Sequence, residues 1–324
     1  MTLREARHRV NEYLLEAESA LAEPSRGVST YLAGGKRFRA ELLLLVSMGA
    51  GDVVEERAVR YAAFVEIVHA GGLCHDDVVD RSEFRRGRPS IASVGGTREA
   101  MLVGLVLMSH AYGLVAHDED PVRAAVSRAA TRVARGQADE MAGLFDTMTS
   151  PERYVDRCRD KTGALFELSA ELGALVGHLE GSHAEGIVRF ARRVGLAFQL
   201  ADDLRDFFGD AVLGRDRGTD LREGVYTLPV LLMLHEDRPG ARELRQILDA
   251  LRVAASPCDV ARLTDMVCRL LESEGAMSSV RSRAEHEVTV ACDELSDCSV
   301  PLRTRLDEFA RTVMFGLLDA RAVA

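Results

Sequence analysis

The sequence predicts an all-α protein. Three observations carry that reading: Ala, Leu, Arg and Glu fill long windows, alternating Val/Ile/Thr runs between turn signals are scarce, and only eight prolines interrupt 324 residues. Hydrophobic residues make up 47%, enough for a sizeable core, and 27 glycines permit close helix packing. No linker, low-complexity tract or short fixed repeat divides the chain, so a single domain over 1–324 is expected. A net charge of −10 sets nucleic acid aside as a partner. The six cysteines (74, 158, 258, 268, 292, 298) show neither C-x-x-C pairing nor zinc-finger spacing and read as buried thiols in a reducing compartment. The charged N-terminus lacks the apolar core of a signal peptide. The longest apolar stretch, Ala100 to Met108, is short of the roughly 20 residues a membrane span needs and reads as a buried helix. A soluble, cytoplasmic protein without a transmembrane segment is expected.

Taken in order, residues 3–22 form an amphipathic helix ending before Pro24. Gly34-Gly35 then interrupts the chain and lets backbone approach a ligand closely, while Lys36, Arg37 and Arg39 open the next helix. Cations at a helix N-terminus oppose the macrodipole unless an anion is shared there. A long helix over 55–81 carries His69, Gly72 or Leu73, Asp76 and Asp80 on one stripe. Like charges four apart cost a helix a few tenths of a kcal/mol. The same departure recurs on a helix over 187–208, where Gln199, Asp202 and Asp206 share a face. Both stretches read Asp-Asp-x-x-Asp, and hard carboxylate oxygens in that pattern point to divalent cations, Mg2+ over Zn2+. Arg85-Arg86-Gly87-Arg88-Pro89 is a basic loop straight after the first motif. Acidic ligands followed by arginines suit a metal-bound diphosphate.

Between the motifs, helices are expected at about 97–116 and 121–147, with another opened by Pro151 and containing Lys161-Thr162-Gly163. Residues 177–186 read as a Gly-rich loop, 209–226 as a polar lid, and Thr227-Leu-Pro229 as the start of a further helix. Residues 240–324 read as peripheral helices. Two Glu-x-x-His matches, Glu66–His69 and Glu180–His183, raise a di-iron bundle, but the second is flanked by glycine and sits poorly in a helix. His75 beside Asp76 reads as a histidine packed near a metal site. Serine-hydrolase, P-loop and dinucleotide fingerprints are missing.

In sequence order stand Gly34-Gly-Lys-Arg-Phe-Arg39, His69, Asp76-Asp-Val-Val-Asp80, Arg85-Arg-Gly87, Gly136-Gln137, Lys161-Thr162 and Phe198-Gln-x-x-Asp-Asp-x-x-Asp206. Over about residues 30–230 this set resembles the trans-isoprenyl diphosphate synthases, the polyprenyl synthetase family. The resemblance implies an isoprenoid-synthase-type helical bundle around a central cavity, homodimeric, with the motifs facing each other across its mouth. It implies a trans-prenyltransferase that joins an allylic diphosphate to isopentenyl diphosphate with three Mg2+ ions. Asp76, Asp80, Asp202 and Asp206 would hold metal, with Asp77 and Asp203 supporting. Lys36, Arg39, His69 and Arg86 would bind isopentenyl diphosphate, and Arg85, Lys161, Thr162 and Gln199 would face the allylic substrate.

Gly72 lies one turn, about 5.4 Å, before Asp76, so a growing tail would pass it and its neighbour Gly71. Two glycines leave that way open, with Met101, Leu105 or Met108 as the next barrier, and a product of C20 or longer is expected. Three positions depart from the family pattern: Val225 stands for a lysine, Gly104-Leu105 for a Gly-Asp pair, and Ala40 for a proline. Arg215 and Arg217 are the nearby cations available to replace that lysine. The departures leave two rivals, a class I terpene cyclase and a non-catalytic subunit of a heteromeric synthase. The retained isopentenyl-diphosphate set argues against the first and the intact aspartate motifs against the second.

Overall fold

Thr2 starts the first helix. Its Oγ1 accepts the Glu5 N–H at 3.3 Å while the Glu5 carboxylate accepts the Thr2 N–H at 2.8 Å, satisfying two otherwise orphaned donors. The computed structural model describes residues 1–21, 27–208, 217–236 and 238–318. In chain order it runs α1 Leu3–Ser19, α2 Val28–Leu32, α3 Phe38–Ser47 and α4 Glu56–Val79. A hairpin of β1 Phe84–Arg85 with β2 Arg88–Pro89 follows, then α5 Ile91–Val115, α6 Asp120–Ala142 and α7 Pro151–Cys158. A π-turn, Arg159–Gly163, leads to α8 Ala164–Val176, α9 Gly181–Asp206, α10 Thr219–Glu223 and α11 Leu228–His235. Helices α12 Ala241–Val253, α13 Pro257–Ser273, α14 Ala276–Asp293 and α15 Val300–Leu318 complete it. The all-α expectation holds, since that hairpin is the only sheet among the described residues.

These residues fall into two compact units. The first comprises Met1–Ala129, Leu165–Ala191 and Cys292–Phe309, the second Ala130–Ala164, Arg192–Ala291 and Ala310–Ala324. In the first, Leu42 to Val46 of α3 and Tyr61 to Val65 of α4 are buried on every face. Helices apolar all round belong in a core. Helix α4 packs chiefly on α5. A Cβ on Gly71 would lie 3.0 Å from the Gly104 carbonyl, and one on Gly104 2.8 Å from that of Gly71. Backbone therefore meets backbone where the helices cross. In the second unit, Leu196, Leu200 and Leu204 of α9 pack with Leu228 and Leu231 of α11 and Val267 and Leu271 of α13.

Several element bounds differ from expectation for local reasons. Helix α5 begins before 97, because Ser90 Oγ caps the Ser93 N–H at 3.0 Å and the helix passes through a kink at Gly96 (φ 83°). Nor is α5 a buried helix: Met101, Leu102, Leu105 and Tyr112 lie exposed along it. By length and composition it is the one helix among the described residues suited to crossing a membrane, and 28% of its most apolar window is buried. The expected loop at 177–186 shrinks to 177–180, since His178 (φ 50°) makes the turn and Gly181 already starts α9. Helix α6 stops at Ala142, and α1 at Ser19. Of the expected lid, 209–216 lies outside the described residues. All six cysteines are free, but only Cys74, Cys158 and Cys268 are buried, and Cys258 is exposed.

Candidate active site

Helix α4 delivers the first aspartate motif at its C-terminal end, where Asp80 is the C-cap. A carboxylate there adds to the negative end of the helix dipole, so the motif gains from a cation on two counts. Asp76 and Asp80 are partly exposed, whereas Asp77 is wholly buried. Asp77 Oδ1 accepts Arg85 Nε at 2.9 Å and also its Nη2, and Oδ2 accepts the Tyr31 hydroxyl. Burial works against the Arg85 charge, and the Asp77 hydrogen bonds more than offset it, so Arg85 holds its proton more tightly than a free arginine. Burial and Asp77 likewise push the Tyr31 phenol upward.

Arg86 is positioned by backbone. The hairpin turn Arg86-Gly87 has positive φ at both residues (53° and 72°), as a two-residue loop between twisted strands requires. Its guanidinium donates to the carbonyls of Thr30 at 2.9 Å and Tyr31 at 3.2 Å. It lies on Gly34 and Gly35, where added Cβ atoms would come within 2.6 and 2.7 Å of it. The Gly-Gly pair thus serves an arginine rather than a turn alone. Arg37 reaches Glu66 at 3.5 Å, and Glu66 also accepts the Ala40 N–H at 3.1 Å. Glu66 is therefore committed to α3, which accounts for the Glu-x-x-His match without metal. Lys36 lies over Phe38 and Arg39 over Phe166, with cation-to-ring distances of 5.7 and 5.0 Å.

Half-buried His69 is driven well below the usual histidine range, first by burial and then by the charges of Arg39, Arg86, Arg85 and Arg37. Burial, Arg37 and Arg85 also lower the proton affinity of Arg86. Cations that crowd one another to this degree mark a place built for an anion.

The second motif lies on α9, with Asp202 and Asp206 partly exposed and Asp203 buried. Asp203 Oδ2 accepts the Tyr154 hydroxyl and Oδ1 the Gln199 amide at 2.8 Å. Gln199 Oε1 in turn accepts the Thr162 hydroxyl at 2.6 Å. Burial raises the Asp203 carboxyl to about 7, against the pull of the Tyr154 and Gln199 hydrogen bonds. Asp206 accepts the backbone N–H groups of Thr219 at 3.1 Å and Asp220 at 3.2 Å, holding the first turn of α10. Lys161 and Thr162 sit in the π-turn, a feature frequent at functional sites. Lys161 pairs with Glu140 at 2.5 Å, and Asp160 bridges Arg132 and Arg135 at 2.9 and 2.8 Å. Gly136 lets α6 touch the turn, since a Cβ there would stand 2.5 Å from the Lys161 nitrogen.

Among the described residues no three His, Cys, Asp or Glu side chains converge on a ready-made metal site. The first motif instead offers the partly exposed pair Asp76 and Asp80, and the second offers Asp202 on the same face as Asp206, whose oxygens already accept two backbone N–H groups. That donor set fits Mg2+, which keeps several waters and takes one or two carboxylates with substrate phosphates rather than a closed protein cage.

Some expectations shift. Thr162 and Gln199 spend their polar groups on each other and on Asp203, not on open space. Gly71 opens no path, because α5 fills its face with the Gly104 carbonyl and Met108, whereas a Cβ on Gly72 would meet nothing within 4 Å. Met101 and Leu105 are exposed, and of the expected barrier only Met108 reaches Gly71. Arg217, one of the two candidates to replace the lysine missing at 225, pairs with Asp265 at 2.9 Å and with the Phe207 carbonyl. Arg215 lies outside the described residues. Sequence reasoning missed Tyr31, Tyr154 and Glu140. Their partners stand 46, 49 and 21 residues away, and no local pattern marks them.

The family profile described as Polyprenyl synthetase matches residues 23–266. The chain is 37% identical to a short chain isoprenyl diphosphate synthase of Methanocaldococcus jannaschii over 67% of its length and 68% of the relative. It is 34% identical to the geranylfarnesyl diphosphate synthase of Aeropyrum pernix, covering 89% of this chain and 92% of that one. The crystal structure of a polyprenyl synthase from Caulobacter crescentus, complexed with calcium and isoprenyl diphosphate, superposes with a TM-score of 0.86 at 28% identity. That match covers 96% of this chain and 94% of the other.

Proposed function

The chain belongs to the polyprenyl synthetase family, and from that premise we propose the roles of its residues in a metal-dependent trans-prenyl transfer. The enzyme is a trans-prenyltransferase that extends an allylic diphosphate with isopentenyl diphosphate to an all-trans product of C20 or longer. The observation that carries the residue assignment is the cationic seat of Arg86 on Gly34-Gly35, beside a neutral His69 and Arg37, Arg39 and Arg85. A cyclase, which takes a single diphosphate, has no use for it.

Lys36, Arg39, His69 and Arg86 hold isopentenyl diphosphate. A neutral His69 donates a hydrogen bond there without adding to the charge. Arg85 and Lys161 face the allylic diphosphate, and Lys161 exchanges its Glu140 partner for it. Asp76, Asp80, Asp202 and Asp206 would hold Mg2+, three ions in all, which when bound would supply positive charge against that developing on the departing diphosphate. As the allylic carbon–oxygen bond breaks, the arginines stabilise the leaving diphosphate. The isopentenyl double bond attacks that allylic carbon, a carbon–carbon bond forms, and one proton is lost to give the new allylic double bond. Keeping water out protects the allylic cation.

The whole chain acts as one polyprenyl-synthetase domain and assembles as a homodimer through the exposed apolar face of α5. Free thiols at all six cysteines fit a reducing cytoplasm. The test is incubation of purified protein with Mg2+ and geranyl, farnesyl or geranylgeranyl diphosphate, with and without isopentenyl diphosphate, and mass spectrometry of the products. Longer prenyl diphosphates formed only with isopentenyl diphosphate are expected. Hydrocarbons or alcohols formed without it would replace elongation by cyclisation, and no turnover under either condition would point to a missing subunit.

A further inference from the structure

Asp77 and Asp203 occupy the same place in their motifs and the same kind of surroundings. They are 0% and 3% exposed. In each, one carboxylate oxygen accepts a tyrosine hydroxyl, from Tyr31 or Tyr154, and the other accepts a side chain proposed as a substrate contact, Arg85, or one that holds the turn bearing such a contact, Gln199. The two arrangements arise in separate units from unrelated stretches of sequence. A buried carboxylate is stable only when its oxygens are satisfied, and here the protein satisfies all four. A metal ion at either would have to displace those donors, whereas Asp76, Asp80 and Asp202 keep partly exposed faces.

We propose that Tyr31 and Tyr154 are positioning residues, each locking the middle carboxylate of one aspartate motif as an anchor for substrate-facing side chains rather than as a metal ligand. The first anchor joins four elements. Besides donating to Asp77, the Tyr31 hydroxyl accepts the Ile91 N–H at 3.3 Å, so α2, the last turn of α4, the hairpin through Arg85 and the start of α5 meet at one anchor. In the second anchor the Gln199 amide nitrogen faces Asp203 Oδ1 at 2.8 Å. Gln199 Oε1 then accepts from Thr162, which ties α9 to the π-turn that carries Lys161. The anchors rest on the functional reading above for the identity of the substrate.

The experiment counts Mn2+ ions bound in the presence of inorganic diphosphate, by calorimetry and by the free-ion electron spin resonance signal. It sets those beside the allylic KM and the thermal midpoint. Tyr31→Phe, Tyr154→Phe and Asp77→Asn are expected to bind as many ions as the wild type while the allylic KM rises about tenfold, the scale of one buried polar group left unpaired. Asp76→Asn is expected to lose ions. Tyr31→Phe added to Asp77→Asn should raise KM no further, since both act through one anchor. Ion loss in Asp77→Asn equal to that in Asp76→Asn would overturn the proposal. So would tyrosine variants whose thermal midpoint falls while KM stays put. Should Asp77→Asn fail to fold, Tyr31→Phe, which removes a single atom, decides alone. Wild-type protein that binds no Mn2+ with diphosphate would instead refute the functional reading, a distinguishable result.

Discussion

Gly34 and His69 show how single residues shape the cluster of cations around Arg86. A methyl at Gly34 would fall 2.6 Å from Arg86 Nη1 and 3.0 Å from its Cδ, the far part of a flexible side chain, so the guanidinium must leave while the backbone stays. Gly34→Ala is therefore expected to fold normally and raise the KM for isopentenyl diphosphate roughly ten- to a hundredfold, the worth of a charge-assisted hydrogen bond. Steady-state kinetics with a thermal melt checks it. His69 makes a prediction about pH. Its folded proton affinity lies well below that of a free histidine, whose reference value is 6.5. The stability this neutral histidine contributes is complete above about pH 6.5 and drains away as pH falls towards the lower folded value. Ligand-free wild type should lose more thermal stability between pH 7.5 and 5.5 than His69→Gln, and equal losses would contradict the assignment. The basic stretches at 36–39 and 85–86 were legible in the sequence, because charge stands out in any window, and the structure brings Arg37, Arg39, Arg85 and Arg86 around His69. The neutrality of His69 was not legible, since it depends first on burial and then on four arginines drawn from two segments.

At the scale of elements, α4 and α9 were readable because each motif ends a long proline-free run of helix formers and its aspartates stand four apart. The sequence could not separate Gly71 from Gly72, which differ only in what the next helix does. Gly71 faces the α5 backbone, and Gly72 faces nothing within 4 Å. Gly71→Ala should cost about 1–3 kcal/mol by overpacking the crossing with α5, read as a lower denaturation midpoint. Gly72→Phe should leave stability near the wild type and shorten the product, read by mass spectrometry. The π-turn was equally hidden: Arg-Asp-Lys-Thr-Gly has only Gly163 to mark it, and the contacts it makes, with α6 at Gly136 and with Arg132 and Arg135 through Asp160, come from residues more than twenty positions away.

For the whole molecule, the fold class came from the sequence with little loss, since composition and periodicity are bulk properties that survive errors at element ends. Surface was harder to read than core. Helix α5 passes every test for a buried helix until its neighbours are known, and then Leu102 and Leu105 stand 61% and 56% exposed. An apolar face of that kind marks an interaction surface. Leu102→Glu with Leu105→Glu is expected to convert a dimer to a monomer by light scattering, and a wild type that is already monomeric would remove the homodimer from the proposal. Chelation bears on the molecule as a whole too. Much of the −10 net charge stands in two aspartate motifs, so EDTA should abolish turnover, with Mg2+ restoring it.

The hairpin turn at Arg86-Gly87 carries one more consequence. Both residues hold positive φ, a geometry that Asn-Gly meets with least strain, and an arginine there sits in a conformation that L-residues other than Asn and Asp enter at a cost of about 1–2 kcal/mol. A chain selected for rapid, faultless hairpin closure would write asparagine. This one writes arginine, and under the role proposed for Arg86 the residue best for closing the turn and the residue best for holding diphosphate differ at position 86.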